Sequence, residues 1–419
     1  MNTQFESFTA KRKDSLMVRV ASLFSQLLSH FPRNEFQKLV NKHNAEFGAK
    51  GFTCWSQFVS MLFCQMAGAE SLREISNGLK CCLGKLKHLG MVKAPPRSTL
   101  SYANANRPAG LFRDLYYKTF DHFQKQGGFG HRKKKFRFKN KLLSLDSTVI
   151  SLCLSLFPWA EFRRAKGGVK VHTMLDHDSY MPNFVQITRA KLHDVNIAYK
   201  LQLNPGSIIA MDMGYTDYEL YAKWTKQGVY FVTRQKKNAA YKVIDERKPP
   251  INSNIMADET ILFTGYITSK KCSYKLRRVV VWDELKEREL VLLTNNMTLG
   301  ATTISAIYKD RWEIELFFKM LKQNLKIKTF VGTSENALMI QIWTALIALL
   351  LIKWLHFLSK ARWSISNLAS MLRLNLFTYR DLMKWINDPW NTEPVTPKPK
   401  QLALPLPVFG QPKPMQTPT

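Results

Sequence analysis

Three carboxylates and one stripe of unlike polar groups are the residues in this 419-residue chain whose types and spacing could do chemistry. Asp146 ends the apolar run Leu142–Leu145, and Asp212 ends Ser207–Met211; both runs read as strands. Glu315 lies in Y-K-D-R-W-E-I-E-L-F-F-K-M-L-K, from Tyr308 to Lys322. Tyr308, Arg311, Glu315 and Lys322 follow at i, i+3, i+7 and i+14, along one side of a helix. A carboxylate flanked by a phenol, a guanidinium and an ammonium suits a metal ion beside a phosphate chain. Two strand-end Asp residues near a helical Glu are what a two-Mg²⁺ site requires. Mg²⁺ takes oxygen ligands in octahedral geometry, and a pair of ions activates an attacking oxygen and stabilises a leaving one. The bland alternative is a solvated helix face with Glu–Lys pairs and ordinary strand-end Asp residues. The conjunction carries the reading.

The elements that must position these groups follow from hydrophobic spacing. Ile307, Ile314, Phe317, Phe318, Leu321 and Leu325 recur at helical period, with no Gly or Pro, so a helix is expected from near Thr303. Val149–Leu156 continues past Asp146 as strand. Val169–Leu175 and Phe184–Thr188 read as a strand and its return, joined by a turn at Asp176–Ser179. His172, Asp176, His177 and Asp178 could be called a metal cluster, but turn chemistry accounts for the last three. Asp194 is placed to cap a helix. Asp217 opens an amphipathic helix to about Gln227, and Val229–Thr233 is the next strand. Between Lys237 and Asn296 lie short β segments (Thr260–Tyr266, Arg278–Trp282, Glu289–Leu293), read as an insertion. Lys270-Lys271 and Lys275/Arg277/Arg278 read as its basic surface.

The first 125 residues read as helical. Ser71-Leu72-Arg73-Glu74 is a capping box. Pro95-Pro96-Arg97 stops the chain before a polar helix containing Tyr102, Asn104, Asn106 and Arg107, a pattern compatible with helix-turn-helix DNA binding. Gly78–Lys85 is no phosphate-binding loop, with five residues between its glycines and Leu86 where Ser or Thr is needed. Residues 126–141 are a glycine-led basic run with interleaved aromatics, suited to phosphate contact or to a solvated linker. Ala337–Ile352 approaches the ~20 residues of a membrane span. A buried core helix is the expectation in so basic a chain. Ala361–Trp385 reads as helix, and Pro-dense 389–419 as a disordered tail.

Charge narrows the class. Lys+Arg number 62 against 31 Asp+Glu, a net +31, which argues for a polyanionic partner and against a small-molecule enzyme. A ribosomal protein would be shorter and less apolar. The six Cys make no C-x-x-C pair and read as reduced thiols of a cytosolic protein. The N-terminus lacks the layout of a signal peptide.

Tyr308-x-x-Arg311-x-x-x-Glu315-x-x-x-x-x-x-Lys322 matches the Y-(2)-R-(3)-E-(6)-K signature of insertion-sequence transposases of the IS-four family. L-D-S-T at Asp146 resembles that family's first acidic motif, and D-M-G-Y at Asp212 its second. F-T-C-W-S-Q-F and R-S-T-L-S-Y-A-N-A-N-R resemble the helical domain often found ahead of this core, so the likeness spans most of residues 1–360. The departure is Met213, where a basic residue is usual; it leaves the activity of this copy open. The resemblance implies an α/β protein. Its ribonuclease-H-like catalytic core (126–236 and 301–360) would carry a β-rich insertion (237–300), behind an all-α DNA-binding domain (1–125). A C-terminal helix (361–388) and the tail (389–419) would follow. It implies Asp146, Asp212 and Glu315 as catalytic metal ligands for two Mg²⁺, with Mn²⁺ able to substitute, and Tyr308, Arg311 and Lys322 as DNA contacts. The implied partners are double-stranded DNA, as transposon ends and target, and a second copy on DNA, with no membrane. The implied setting is a bacterial, nucleoid-associated cytoplasmic protein. Two rival classes remain beside it: a metal-dependent nuclease on the same core, and a silent DNA-binding protein derived from a transposase.

Overall fold

The computed structural model describes residues 21–395 apart from 83, 128, 130–134, 164–165, 326 and 328. Parts of the basic run 126–141 and of the tail 389–419, and the first 20 residues, lie outside the described residues.

Strand β1 (Leu142–Leu152) organises the sheet. It pairs antiparallel with β3 (Lys166–Asp176) from Leu143↔Asp176 to Leu152↔Gly167. It pairs parallel with β5 (Ile208–Met211) only from Leu142↔Ile208 to Leu145↔Met211. Asp146 therefore lies inside an 11-residue strand and does not end one, because the β3 ladder carries β1 onward. It does mark where the parallel ladder stops. Asp212 follows Met211 at the same level on the neighbouring strand, and adjacent strands are about 4.8 Å apart. That register brings together two carboxylates 66 positions apart in sequence.

The other strands are β2 (Glu161–Arg163), β4 (Met181–Arg189), β6 (Tyr230–Arg234), β7 (Tyr241–Arg247), β8 (Ile255–Phe263), β9 (Leu276–Asp283) and β10 (Arg288–Thr294). Among the described residues they form one sheet in the order β2-β3-β1-β5-β6-β10-β9-β8-β7, with β4 on β3. The stretch read as a β-rich insertion continues the same sheet, because β10 pairs with β6 from Leu292↔Arg234 to Thr294↔Val232.

Alternation along the strands splits the apolar side chains between two faces. Leu143, Leu145, Ile209 and Met211 pack with Leu220, Tyr221 and Trp224 of helix α8 (Tyr218–Lys226). Leu142, Ile208 and Ala210 pack with Ile304, Ile307 and Tyr308 of α10 (Ala301–Asp310). All four residues of β5 are buried, as a strand covered on both faces must be.

The helix expected from Thr303 onward is two, α10 and α11 (Trp312–Asn324), with a turn at Arg311. Arg311 keeps right-handed backbone angles, so the stripe survives the break. Apolar Ile314, Phe317, Phe318 and Leu321 of α11 face the core that holds Ile150 and Leu152 of β1. Lys322 Nζ reaches back to Thr148 Oγ1 (2.6 Å) and the Val149 carbonyl (3.2 Å).

Before the sheet come α1 (Leu23–Leu28), α2 (Arg33–Lys42), α3 (Cys54–Ala67), α4 (Leu72–Lys80), α5 (Arg97–Asn106) and α6 (Gly110–Lys125). Ser71 caps α4 as its capping box predicts, its Oγ accepting from the Glu74 N–H at 3.1 Å. Of these, α3, α5 and α6 pack on α12 (Glu335–Leu358), the long apolar run. α12 is long and apolar enough to cross a membrane, yet it is almost wholly buried within the protein. Each of its buried Leu and Ile side chains contributes roughly 1.5–3 kcal/mol. Its polar interruptions are satisfied locally: Gln341 bonds Val331 N and Thr329 O, and Thr344 bonds the Ile340 carbonyl. Asn336 ties α12 to the N-terminal helices, donating to the Asn104 and Arg107 carbonyls and accepting from Ala109 N. Residues 361–388 form two helices where one was expected, α13 (Ile365–Asn375) and α14 (Leu382–Asn387).

Candidate functional site

The fold brings Asp146, Asp212, Tyr308, Arg311, Glu315 and Lys322 together where the parallel β1–β5 ladder ends, on two adjoining clefts. Asp146 comes from β1, Asp212 from the end of β5, and Glu315 from the first turn of α11. Arg311 joins Asp146 and Glu315. Its Nη1 donates to Asp146 Oδ2 at 3.1 Å and its Nη2 to Glu315 Oε1 at 2.9 Å. Tyr308 lies beside it, the guanidinium carbon 5.4 Å from the ring centre. Burial raises the Tyr308 phenol above its ordinary range. The Asp146 carboxyl is pushed up to about 6, first by burial and then by the negative charges of Asp212 and Glu315. The Ser147 N–H and the Arg311 charge oppose that shift.

Two clefts meet at Glu315. The larger, about 1150 Å³, is lined by Asp212, Tyr308, Arg311 and Glu315, by Arg234, Lys286, Arg288 and Lys309, by Asp283 and Glu284, and by Trp282 and Trp312. The smaller, about 490 Å³, is lined by Asp146, Thr148, Glu315, Lys319 and Lys322. Trp312 is about half exposed and Trp282 somewhat less, so each offers a ring face to the larger cleft. Trp282 is the penultimate residue of β9, and nothing in its neighbours' types marks it as a cleft residue.

The carboxylates are oxygen donors that repel one another, which suits a hard divalent cation. Among the described residues, however, no three acidic, His or Cys side chains converge closely enough to hold an ion. The Arg311 guanidinium stands between two of the three carboxylates. As folded, a metal fits their chemistry but needs that guanidinium to move.

Two polar braces escaped sequence reasoning. Asp194 occupies the N-cap position of the short helix Val195–Ala198, but its side chain makes no capping hydrogen bond. Its carboxylate accepts from Ser147 Oγ (2.7 Å) and Lys170 Nζ (3.2 Å) and lies 3.3 Å from His172 Nδ1. Burial works against its ionisation, but those partners outweigh it and hold the group at about 2. The brace thus reaches the residue next to Asp146. The second brace links Ser144 Oγ to His177 Nε2 (2.6 Å) and His177 Nδ1 to Asp310 Oδ2 (2.6 Å), with Lys135 also on Asp310. A Ser–His–Asp line is the arrangement of acyl-transfer enzymes. Here Ser144 is fully buried, and the line pins the Arg311 turn to β1. His172 and His177 are thereby absorbed into braces, and Asp176 pairs with Lys141 at 3.0 Å. Arg277, expected on a basic surface, is buried and forks onto Asp258 with two bonds of 2.7 Å. Arg278 pairs with Glu259.

Comparison with known proteins defines the class. A family model described as a transposase DDE domain matches residues 137–351, which hold the whole site. Residues 19–92 match a domain of unknown function, DUF4372. A transposase of Sinorhizobium fredii is 30% identical over 293 residues, 69% of this chain and 80% of that one. A transposase for insertion sequence element IS5377 of Geobacillus stearothermophilus is 30% identical over 56% of this chain and 62% of its own. A transposase for insertion sequence element IS4SA of Synechocystis is 27% identical over 62% of this chain and 71% of its own. The chain belongs to the DDE-domain transposase family, a class whose chemistry implies dependence on a divalent metal.

Proposed function

We propose that this chain is the transposase of a DNA insertion sequence of the IS-four type, cutting at terminal inverted repeats and joining the freed ends to target DNA. The observation that carries the reading is the bridging of Asp146 and Glu315 by one guanidinium at the mouth of a cleft that Asp212 also lines. Strands β4, β3 and β1 antiparallel, with β5 and β6 parallel to β1, support a ribonuclease-H-like core at 126–236 and 301–360. Residues 237–300 extend its sheet.

Asp146, Asp212 and Glu315 would hold two divalent ions, Mg²⁺ or Mn²⁺. When bound, such ions supply activation of the attacking oxygen and stabilisation of the leaving one. Tyr308, Arg311 and Lys322 hold the phosphates of the transposon end in register with those carboxylates. Arg311 has the fork that fits a phosphate with two bonds, and Lys322 a single movable charge. If the freed 3′-hydroxyl attacks the opposite strand and forms a hairpin, a base must leave the stack. Trp282 and Trp312 then supply ring faces in the same cleft.

The helices of residues 1–125 serve as the DNA-binding domain, with α5 reading bases. From Ile75 to Arg113 the chain has no Asp or Glu and carries Lys80, Lys85, Lys87, Lys93, Arg97, Arg107 and Arg113. Within that stretch α5 exposes Arg97, Ser98, Ser101, Tyr102, Ala105 and Asn106 and buries Leu100, Ala103 and Asn104. Small and polar side chains on an uncharged-to-basic face allow close approach to a groove. Two copies on paired ends, in the bacterial cytoplasm at the nucleoid, complete the reading.

The test is a plasmid carrying the gene with its native flanking DNA, incubated with purified protein and Mg²⁺, with Glu315→Ala alongside. Double-strand excision at discrete ends, lost in the variant while DNA binding persists, establishes the reading. Diffuse nicking identifies a nuclease, and binding without cutting a silent DNA-binding protein.

A further inference from the structure

We infer that Arg311 makes metal loading conditional on DNA: its guanidinium closes the carboxylate set until a phosphate draws it away. The inference rests on the proposed reading of Asp146, Asp212 and Glu315 as the metal-binding residues.

The two bonds of Arg311 go to two different carboxylates on two different elements, Asp146 on β1 and Glu315 on α11. The guanidinium therefore bridges the set. A divalent ion at ~2.1 Å from those oxygens would need the lone pairs the N–H groups now take. It would also sit against a fixed positive charge. Ion and guanidinium cannot share Asp146 Oδ2 and Glu315 Oε1. Arg311 is 8% exposed, and its buried Nε has no hydrogen-bond partner, so the present arrangement leaves one donor of the fork unmet. A phosphate oxygen in the larger cleft, which Arg311 already lines beside Arg234 and Lys309, would meet it. Phosphate offers the same forked geometry as carboxylate. The backbone beneath is held: Asp310 is pinned by His177 Nδ1 at 2.6 Å and by Lys135. The movement is thus a swing of one side chain.

The consequence is coupling. DNA at the cleft raises metal affinity, and metal must raise DNA affinity by the same factor. Metal-free protein then carries an unloaded site away from its substrate, which suppresses stray cutting.

The experiment measures Mn²⁺ binding to the full chain by electron paramagnetic resonance, with and without a duplex of the native flanking DNA. Wild type, Arg311→Gln and Asp212→Asn are compared, with thermal melts to confirm folding. Wild type should gain affinity with DNA by about tenfold or more, within the 5–150-fold usual for coupled sites. Arg311→Gln should bind Mn²⁺ without DNA as tightly as wild type does with it, and gain little further. The wild-type comparison stands even if the variant folds poorly. Equal Mn²⁺ affinity of wild type with and without DNA, lowered by Asp212→Asn, overturns the coupling while leaving the metal reading intact. Mn²⁺ affinity indifferent to Asp212→Asn overturns the metal reading itself.

Discussion

Replacing Asp146 by Asn should make the metal-free protein more stable, and only above acid pH. The Asp146 carboxyl is raised from 3.8 to about 6, chiefly by burial, with Asp212 and Glu315 adding repulsion that Arg311 only partly offsets. A raised carboxyl binds protons more tightly in the folded than in the unfolded chain. Folding stability therefore falls as pH rises from about 3.8 to about 6, and the cost is fully present above that window. A shift of about two units at 1.36 kcal/mol each is about 3 kcal/mol. Asn keeps the shape of the protonated acid without the charge. For a cooperative transition with ~2.1 cal/mol/K per residue, that gain is roughly 3–4 °C in Tm. The assay is scanning calorimetry of wild type and Asp146→Asn in chelator from pH 4 to 8. The curves should meet near pH 4 and separate up to pH 6, with a constant gap beyond. A variant less stable at pH 7.5, or a gap independent of pH, would refute the reasoning, since Arg311 would then repay the burial of Asp146 in full. Stability gained by removing a charge at a proposed site is the usual trade between activity and folding.

Other outcomes follow from single contacts. Asn336→Ala removes three hydrogen bonds between α12 and the N-terminal helices and should cost about 2–4 kcal/mol in denaturant unfolding; a loss below 0.5 kcal/mol would remove Asn336 as a tie. At Gly214, beside Asp212, a Cβ would meet nothing within 4 Å and the backbone is ordinary. Gly214→Ala should leave Tm unchanged yet weaken end binding in a gel-shift titration, because only an incoming strand has use for that space. Unaltered affinity would show that DNA stays clear of it. Ser101→Glu on the exposed face of α5 should lower affinity for ends tenfold or more, with a melting curve matching wild type; an unaffected Kd would move base reading to another helix.

Much of the site was legible because local signals carried it. Apolar runs flagged the strands before Asp146 and Asp212, and helical spacing put Tyr308, Arg311, Glu315 and Lys322 on one side. The near-total apolarity of 337–352 followed from burial on every side. What escaped was decided by pairing between distant segments. Asp146 looked like a strand end because Ser147 and Thr148 break the apolar run, yet the β3 ladder holds them extended. The insertion was legible as β-rich, but no local pattern shows that its Leu292–Thr294 pairs with Val232–Arg234. Arg277 was taken for surface because its partner Asp258 lies 19 residues away on the adjoining strand. Asp194 sat where a cap would, but Ser147, Lys170 and His172 claim its carboxylate. Arg311 was legible as a cation on the stripe. Its service to two carboxylates at once was not, because one of them lies 165 residues away.

The place of α12 has a consequence for synthesis. Helices α3, α5 and α6 are made early, yet the apolar partner they close upon spans residues 335–358. At 5–20 residues per second, the ribosome needs roughly 10 to 50 s to travel from the end of α6 to the end of α12. Through that interval the emerging N-terminal helices carry unburied Leu, Phe and Trp faces, open to chaperones and to one another. Their final packing waits for a nearly complete chain, so a truncated product lacks a finished N-terminal helical half.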